Sequence, residues 1–232
     1  MNNPSNGGTN RRDFLGKMIA GATMLSIPSF SFAIGDAVDQ ESKHMTTNSA
    51  ENWLSKIKGK HRMVLDVPQP HGIYPFAWPR VFLISNHAAG TPEKDCCAVV
   101  VLRHEAIPYA LKNELWEKYK LGEMFKIDDP KTQAAATRNP FWEPKAGDYA
   151  VPGIGNVAIG INDLQSSGVL FGACNMAITV YSAVAAQKMS LDPQVVKKEW
   201  IDGMLPGVQL LPSGLWAITR AQEKNCGYCF AG

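Results

Sequence analysis

A cysteine at the junction between an apolar run and a helical pattern is the residue best placed for chemistry in this sequence. The run at residues 168–173 leads into Cys174, and Met176, Val180 and Val184 follow at a helical spacing. The carboxyl ends of strands in an α/β sheet face a crevice where ligands and reactive groups collect. The amides and dipole of a following helix favour a thiolate there. We therefore predict that Cys174 is the reactive centre, with a packed, unreactive cysteine as the alternative.

A histidine follows the strand predicted at residues 98–102 and is a candidate partner for this thiol. The ring of His104 is expected near Cys174 because both residues follow strands at one edge of the sheet. An imidazole there would stabilise a thiolate or donate a proton. A solvent-exposed loop histidine without a catalytic role is the alternative.

A second cysteine pair stands near the C-terminus. Cys226 and Cys229 have the spacing of redox disulfides and of half a zinc site. The pair lies at a terminal strand rather than at a helix N-terminus, so we predict a structural or regulatory disulfide, which could also accept electrons or sulfur from Cys174. A zinc site would need a second pair of ligands, and the adjacent Cys96 and Cys97 point apart along a strand. No metal site or cofactor is predicted.

Strands and helices alternate through the rest of the chain. The predicted strands are residues 61–67, 98–102, 169–171, 207–211 and 228–230, and the predicted helices between them include 75–87, 110–121, 176–184 and 192–204. This alternation is typical of a mainly parallel five-stranded sheet in a layered α/β domain. We assign that domain to residues 61–232.

A proline-rich stretch at residues 122–162 interrupts this pattern and is predicted to be a long loop insertion. Its residues Arg138, Phe141 and Trp142 could form a lid over the crevice or a subunit contact. A hydrophobic cluster that covers the loop's own backbone is the third interpretation.

The N-terminal residues resemble an export signal. Arg11 and Arg12 precede a moderately apolar run, and residues 31–33 offer a small-x-small cleavage site, so residues 1–33 are predicted to be a twin-arginine-type signal peptide. The apolar run is short and polar for a membrane span, and no stable span is expected after cleavage. The periplasm is the predicted location. Residues 34–60 are predicted to be a linker with a short helix.

The charge of the chain bears on one class of partner. The chain has a formal net charge of +2, and residues 1–33 contain three of the basic side chains and one acidic side chain, so the remainder is neutral. A neutral body does not favour nucleic acid as a partner.

Three segments in this order resemble the DsrE/DsrF-like sulfur-relay family. They are residues 99–107, with the histidine-bearing loop, residues 168–175, with the cysteine at a strand tip, and residues 207–214, followed by Gln222 and Gly227-Tyr228. The resemblance implies a three-layer α/β sandwich, often oligomeric, whose cysteine carries a persulfide. An exported member, and one with a terminal cysteine pair, would depart from the family's usual pattern.

The predicted function is therefore that of an exported sulfur-handling protein, a sulfurtransferase-like carrier that binds or relays sulfane sulfur through a persulfide at Cys174. Its partners would be a sulfur donor or acceptor protein or a small thiol. Two alternatives remain open: a non-catalytic binding or assembly protein of the same fold, which complete burial of Cys174 would favour, and a thiol–disulfide redox protein acting through Cys226 and Cys229. Whether the chain is an enzyme is not decided by the sequence.

Overall fold

A five-stranded, all-parallel sheet organises the computed structural model, which describes residues 47–232. The strands are β1 (His61–Val67), β2 (Cys96–Leu102), β5 (Leu170–Cys174), β6 (Val208–Leu211) and β7 (Gly227–Phe230). They lie in the order β6-β5-β2-β1-β7, and each neighbouring pair is parallel. The predicted α/β fold with a five-stranded parallel sheet is confirmed. The predicted signal peptide and the first part of the predicted linker lie outside the described residues.

Helices surround this sheet and connect its strands. They are α1 (Thr47–Leu54), α2 (Tyr74–Ala88), α3 (Asn113–Lys118), α4 (Leu121–Phe125), α5 (Ile161–Ser166), α6 (Asn175–Met189), α7 (Pro193–Asp202) and α8 (Gly214–Glu223), with 3₁₀ helices at Glu93–Asp95 and His104–Ala110. A small antiparallel hairpin pairs β3 (Ala150–Val151) with β4 (Gly155–Asn156). Within residues 47–232, no helix has both the length and the apolar character needed to cross a membrane.

Two hydrophobic clusters divide the core between the faces of the sheet. The central strand β2 is buried from Cys97 to Leu102, as expected of an apolar strand covered on both sides. Its Val100 and Leu102 face a large cluster to which α2, α6 and α7 contribute, and its Val99 and Val101 face a smaller cluster closed by α1 and α8. The sheet is thus the middle layer of three.

The helix predicted at residues 110–121 is divided in the structure. The 3₁₀ helix His104–Ala110 comes first, α3 ends at Lys118, and α4 begins after Lys120, which has a left-handed backbone with φ 50°. A left-handed residue cannot continue an α-helix, so the apolar periodicity there is shared by two short helices.

The insertion at residues 122–162 packs on the domain's own core. Phe141 is only 3% exposed, and its ring centroid lies 4.2 Å from that of Phe76 and 5.0 Å from that of Tyr149. The amide of the fully buried Asn139 donates hydrogen bonds to the carbonyl oxygens of Tyr109 and Leu111, at 2.9 and 3.0 Å. These contacts fix this part of the insertion to the core of the domain.

Candidate functional site

Strands β5 and β6 are neighbours, and the helices that follow them lie on opposite faces of the sheet. Cys174 of β5 is paired with Leu211 of β6. After β5, helix α6 packs into the larger cluster through Ala177 and Ile178, whereas after β6, helix α8 packs into the smaller cluster through Ala217. A crevice forms at such a topological switch point, beyond the carboxyl ends of the strands. Cys174 lies at this point.

The thiol of Cys174 caps the helix that follows it. Cys174 is the N-cap residue of the 15-residue α6, and its Sγ accepts a hydrogen bond from the backbone N–H of Ala177 at 3.3 Å. The first N–H groups of a helix have no partner within the helix, and they carry the positive end of its dipole. These N–H groups and the helix dipole therefore direct positive potential at the sulfur. The side chain is 6% exposed, so it is buried without being completely enclosed.

A buried ion pair lies at the same edge of the sheet. Asp66 of β1, which is 3% exposed, accepts hydrogen bonds from Nε of Arg103 at 2.6 Å and from Nη2 of the same side chain at 2.9 Å. The hydroxyl of Tyr228, on β7, donates to Oδ2 of Asp66 at 2.8 Å. Bidentate pairing of this kind fixes the plane of the guanidinium. The network thus joins residues from three neighbouring strand segments.

Strand register brings this guanidinium to the cysteine. Leu102 is paired with Ala173, so the next residues along the two strands, Arg103 and Cys174, are neighbours. Hydrogen bonding to Asp66 is the main cause of a raised pKa for Arg103, and the nearby acidic groups, including the Cys174 thiol, contribute to it. Gly214 at the start of α8 packs against the arginine stem, since a β-carbon there would lie 2.6 Å from the Cβ of Arg103. The guanidinium is held from two sides.

The residue after the cysteine has an unpartnered polar atom. Asn175 is 9% exposed, and its Oδ1 is buried with no hydrogen-bond partner in the described part of the chain. Buried polar atoms are normally hydrogen-bonded, and an orphan acceptor at a candidate site points to a donor supplied by a ligand. The residue that follows Cys174 in the chain thus has a buried side-chain acceptor without a donor.

The structure places His104 at the predicted edge but not on the thiol. His104 is exposed, has φ 48°, and contacts the ring of Tyr181 on α6 edge-on, with a centroid distance of 5.7 Å. Between residues 47 and 232, no hydrogen bond joins His104 to Cys174. Its chain neighbour Arg103 is the residue that strand register brings beside Cys174.

The terminal cysteines lie on opposite faces of the sheet. Cys226 packs in the smaller cluster and Cys229 packs against the larger one, and both thiols are free. Bond formation requires the two Cβ atoms to approach each other, so a disulfide between them would require β7 to rearrange. Burial raises the pKa of Cys226 to about 11 and also raises that of Cys229. A raised thiol pKa lowers the thiolate fraction at neutral pH.

The described residues contain no group of side chains suited to a metal ion, and an open surface cleft lies away from this edge. No three His, Cys, Asp or Glu side chains in the described ranges are grouped so as to hold a metal ion. An open cleft of about 430 Å³ is lined by Lys118, Lys120 and Lys188, among others. Lys188 is 14 residues beyond Cys174, and α6 rises about 1.5 Å per residue, so the cleft lies at the far end of that helix.

Sequence reasoning did not identify Asp66, Arg103 or Tyr228 as site residues. Two signals were present in the sequence. Asp66 is the one acidic residue of a buried strand, which requires a cationic partner, and Arg103 directly follows the most apolar strand. Only the strand order shows that these side chains meet.

Comparison of the sequence with protein-family models and with curated proteins gives no match.

Proposed function

We propose that this chain is an exported sulfur-handling protein in which Cys174 binds or relays sulfane sulfur as a persulfide. The resemblance to the DsrE/DsrF-like sulfur-relay family motivates this function, and one structural observation carries it. That observation is the hydrogen bond from the N–H of Ala177 to the Cys174 Sγ, at the N-terminus of a long helix and at the switch point of the sheet. A helix N-terminus is one of the environments in which reactive cysteines occur.

The reaction proposed is thiol exchange in two steps. The Cys174 thiolate attacks the sulfane sulfur of a donor, and the donor's sulfur–sulfur bond breaks with its electron pair on the leaving group. An acceptor thiolate then attacks the outer sulfur of the persulfide and releases the Cys174 thiolate. No external oxidant or reductant is needed. Arg103 supplies positive potential beside the reacting sulfur atoms, and Asp66 keeps its guanidinium in place.

Mass spectrometry of the intact, reduced full chain tests the proposal. The protein is incubated separately with inorganic polysulfide and with a persulfidated protein, and any gain of whole sulfur atoms is assigned to a peptide. We expect a gain at Cys174 with at least one donor, absent from Cys174→Ser. A matched Cys229→Ser variant, which changes a half-buried thiol on β7, separated from β5 by β2 and β1 in the sheet, should retain the gain. Absence of sulfur on Cys174 with both donors would show that the function is wrong.

An assembly role is the second candidate, and the low exposure of Cys174 favours it. Helix α2 also presents Tyr74, Trp78 and Val81 to solvent, and the first two rings stack with centroids 5.0 Å apart. These residues recur three and four apart, so they lie on one helical face. Under this function the chain forms a homo-oligomer, Trp78→Glu dissociates it in sedimentation experiments, and Cys174→Ser leaves its mass in solution unchanged.

A further inference from the structure

The exposure of Cys174 limits which molecules can reach its sulfur. Only 6% of the residue is exposed, and the amide of Ala177 already lies against the sulfur at 3.3 Å. Thiolate attack on a sulfur–sulfur bond requires direct contact between the two sulfur atoms. A cysteine of a folded partner would bring its backbone and neighbouring side chains to that contact, whereas an inorganic polysulfide brings only sulfur atoms. The enclosure therefore favours a small donor.

Hydrogen-bond donors beside the thiol favour an anion. A guanidinium has five N–H donors, and Arg103 uses two nitrogen atoms, Nε and Nη2, on Asp66. Across residues 47–232, Asp66 is the one acceptor of this guanidinium, so Nη1 remains available. The side chain is 24% exposed, which lets a small ligand reach it from solvent.

The orphan acceptor of Asn175 selects among small anions. Its Oδ1 is buried and has no donor in the described chain, and Asn175 immediately follows the thiol. A fully deprotonated anion such as thiosulfate has no hydrogen to offer this oxygen. A hydrogen polysulfide has both a negative end for Arg103 and a terminal S–H, which is a weak hydrogen-bond donor.

We infer that the sulfur donor of Cys174 is a small inorganic hydrogen polysulfide, bound between the guanidinium of Arg103 and the side-chain oxygen of Asn175. This inference rests on the proposed function. The thiolate attacks the terminal S–H sulfur, the adjacent sulfur–sulfur bond breaks, and its electron pair leaves on the shortened polysulfide dianion. Cys174 gains one sulfur atom with its hydrogen, and the total charge is unchanged.

Loading rates on the reduced full chain distinguish the donors. Sodium tetrasulfide and persulfidated serum albumin are compared at equal sulfane-sulfur concentration, with the gain at Cys174 followed by peptide mass spectrometry. We expect loading from tetrasulfide to be faster by about tenfold or more, the factor that one charge-assisted hydrogen bond supplies. Equal or faster loading from albumin would overturn this inference and leave the proposed function intact. Loading from neither donor would overturn both.

A second measurement tests the two binding groups. Asn175→Leu should slow tetrasulfide loading by about threefold to tenfold, since one hydrogen bond is lost. Cys174 in the Asn175→Leu variant should still react with neutral iodoacetamide at the wild-type rate. The control variant Met176→Leu changes the exposed neighbouring residue and should have wild-type rates in both reactions. Added salt should slow tetrasulfide loading of the wild type but not alkylation, because salt screens the anion from Arg103. Equal slowing of both reactions in Asn175→Leu, or loading insensitive to salt, would contradict the assigned binding groups.

Discussion

Replacement of Asp66 by asparagine should lower the free energy of unfolding, because it breaks a largely buried ion pair. The carboxylate accepts three hydrogen bonds, two from Arg103 and one from Tyr228, and it is 3% exposed. Asp66→Asn keeps one oxygen acceptor and places an N–H group against these donors. Removal of one partner from a fully buried pair costs about 3–5 kcal/mol. Because Arg103 is 24% exposed and water can solvate it in part, we expect a loss of about 2–3 kcal/mol.

Urea unfolding followed by tryptophan fluorescence measures this loss as a lower midpoint with an unchanged slope. Tyr228→Phe is the graded control. It removes one hydrogen bond to the same carboxylate from a ring that is 49% exposed, and it should cost about 1 kcal/mol or less. A loss below about 0.5 kcal/mol in Asp66→Asn would refute the reasoning, since a desolvated pair cannot be broken at so small a cost.

Three further predictions concern the thiol and two titrating groups. Ala177→Pro removes the N–H that binds the Cys174 sulfur, so alkylation of Cys174 by iodoacetamide at neutral pH should be slower by about threefold to tenfold. The control variant Met176→Pro should not slow alkylation. Equal slowing in both variants would contradict the role of the Ala177 amide. Burial raises the pKa of Cys226 from 9.0 to about 11 in the folded protein, so its contribution to stability is present below pH 9.0 and is lost as the pH rises towards 11. In unfolding experiments, Cys226→Val should therefore lose less stability between these pH values than the wild type. An unchanged dependence of stability on pH would contradict this prediction. Hydrogen bonds from a lysine and a tyrosine lower the pKa of Glu199, so its contribution to stability is present above its ordinary pKa of 4.5 and is lost as the pH falls below that value. The stability of Glu199→Gln should therefore fall less steeply in acid than that of the wild type. A steeper fall would contradict this prediction.

The five strands of the main sheet were predictable because their signals are local, whereas the short β3 and β4 were not predicted. Residues 61–67 form β1 with the predicted bounds. Cys174 is at the end of β5, where the change from an apolar run to a helical pattern predicted it. The division of residues 110–121 was not predictable, because apolar periodicity does not report the left-handed backbone at Lys120.

The partners of the cysteine depend on strand order, which no single segment specifies. Asp66 and Arg103 are 37 residues apart and meet because β1 and β2 are neighbours, and Tyr228 joins them only because β7 adds beside β1. His104 was expected near the thiol from the same edge argument. His104 does follow β2, but a sequence does not show that Arg103, the residue directly before it, pairs with Asp66.

The buried ion pair itself argues for a role beyond stability. A buried pair is often replaceable by apolar residues of similar volume without loss of stability. We therefore expect the double variant Asp66→Leu with Arg103→Leu to unfold within about 1 kcal/mol of the wild type, unlike Asp66→Asn alone. If the pair serves to hold a guanidinium beside Cys174, the double variant should be folded and yet gain sulfur from tetrasulfide more slowly by about tenfold, with normal alkylation by iodoacetamide. A stable double variant that loads sulfur at the wild-type rate would assign the pair to the fold alone.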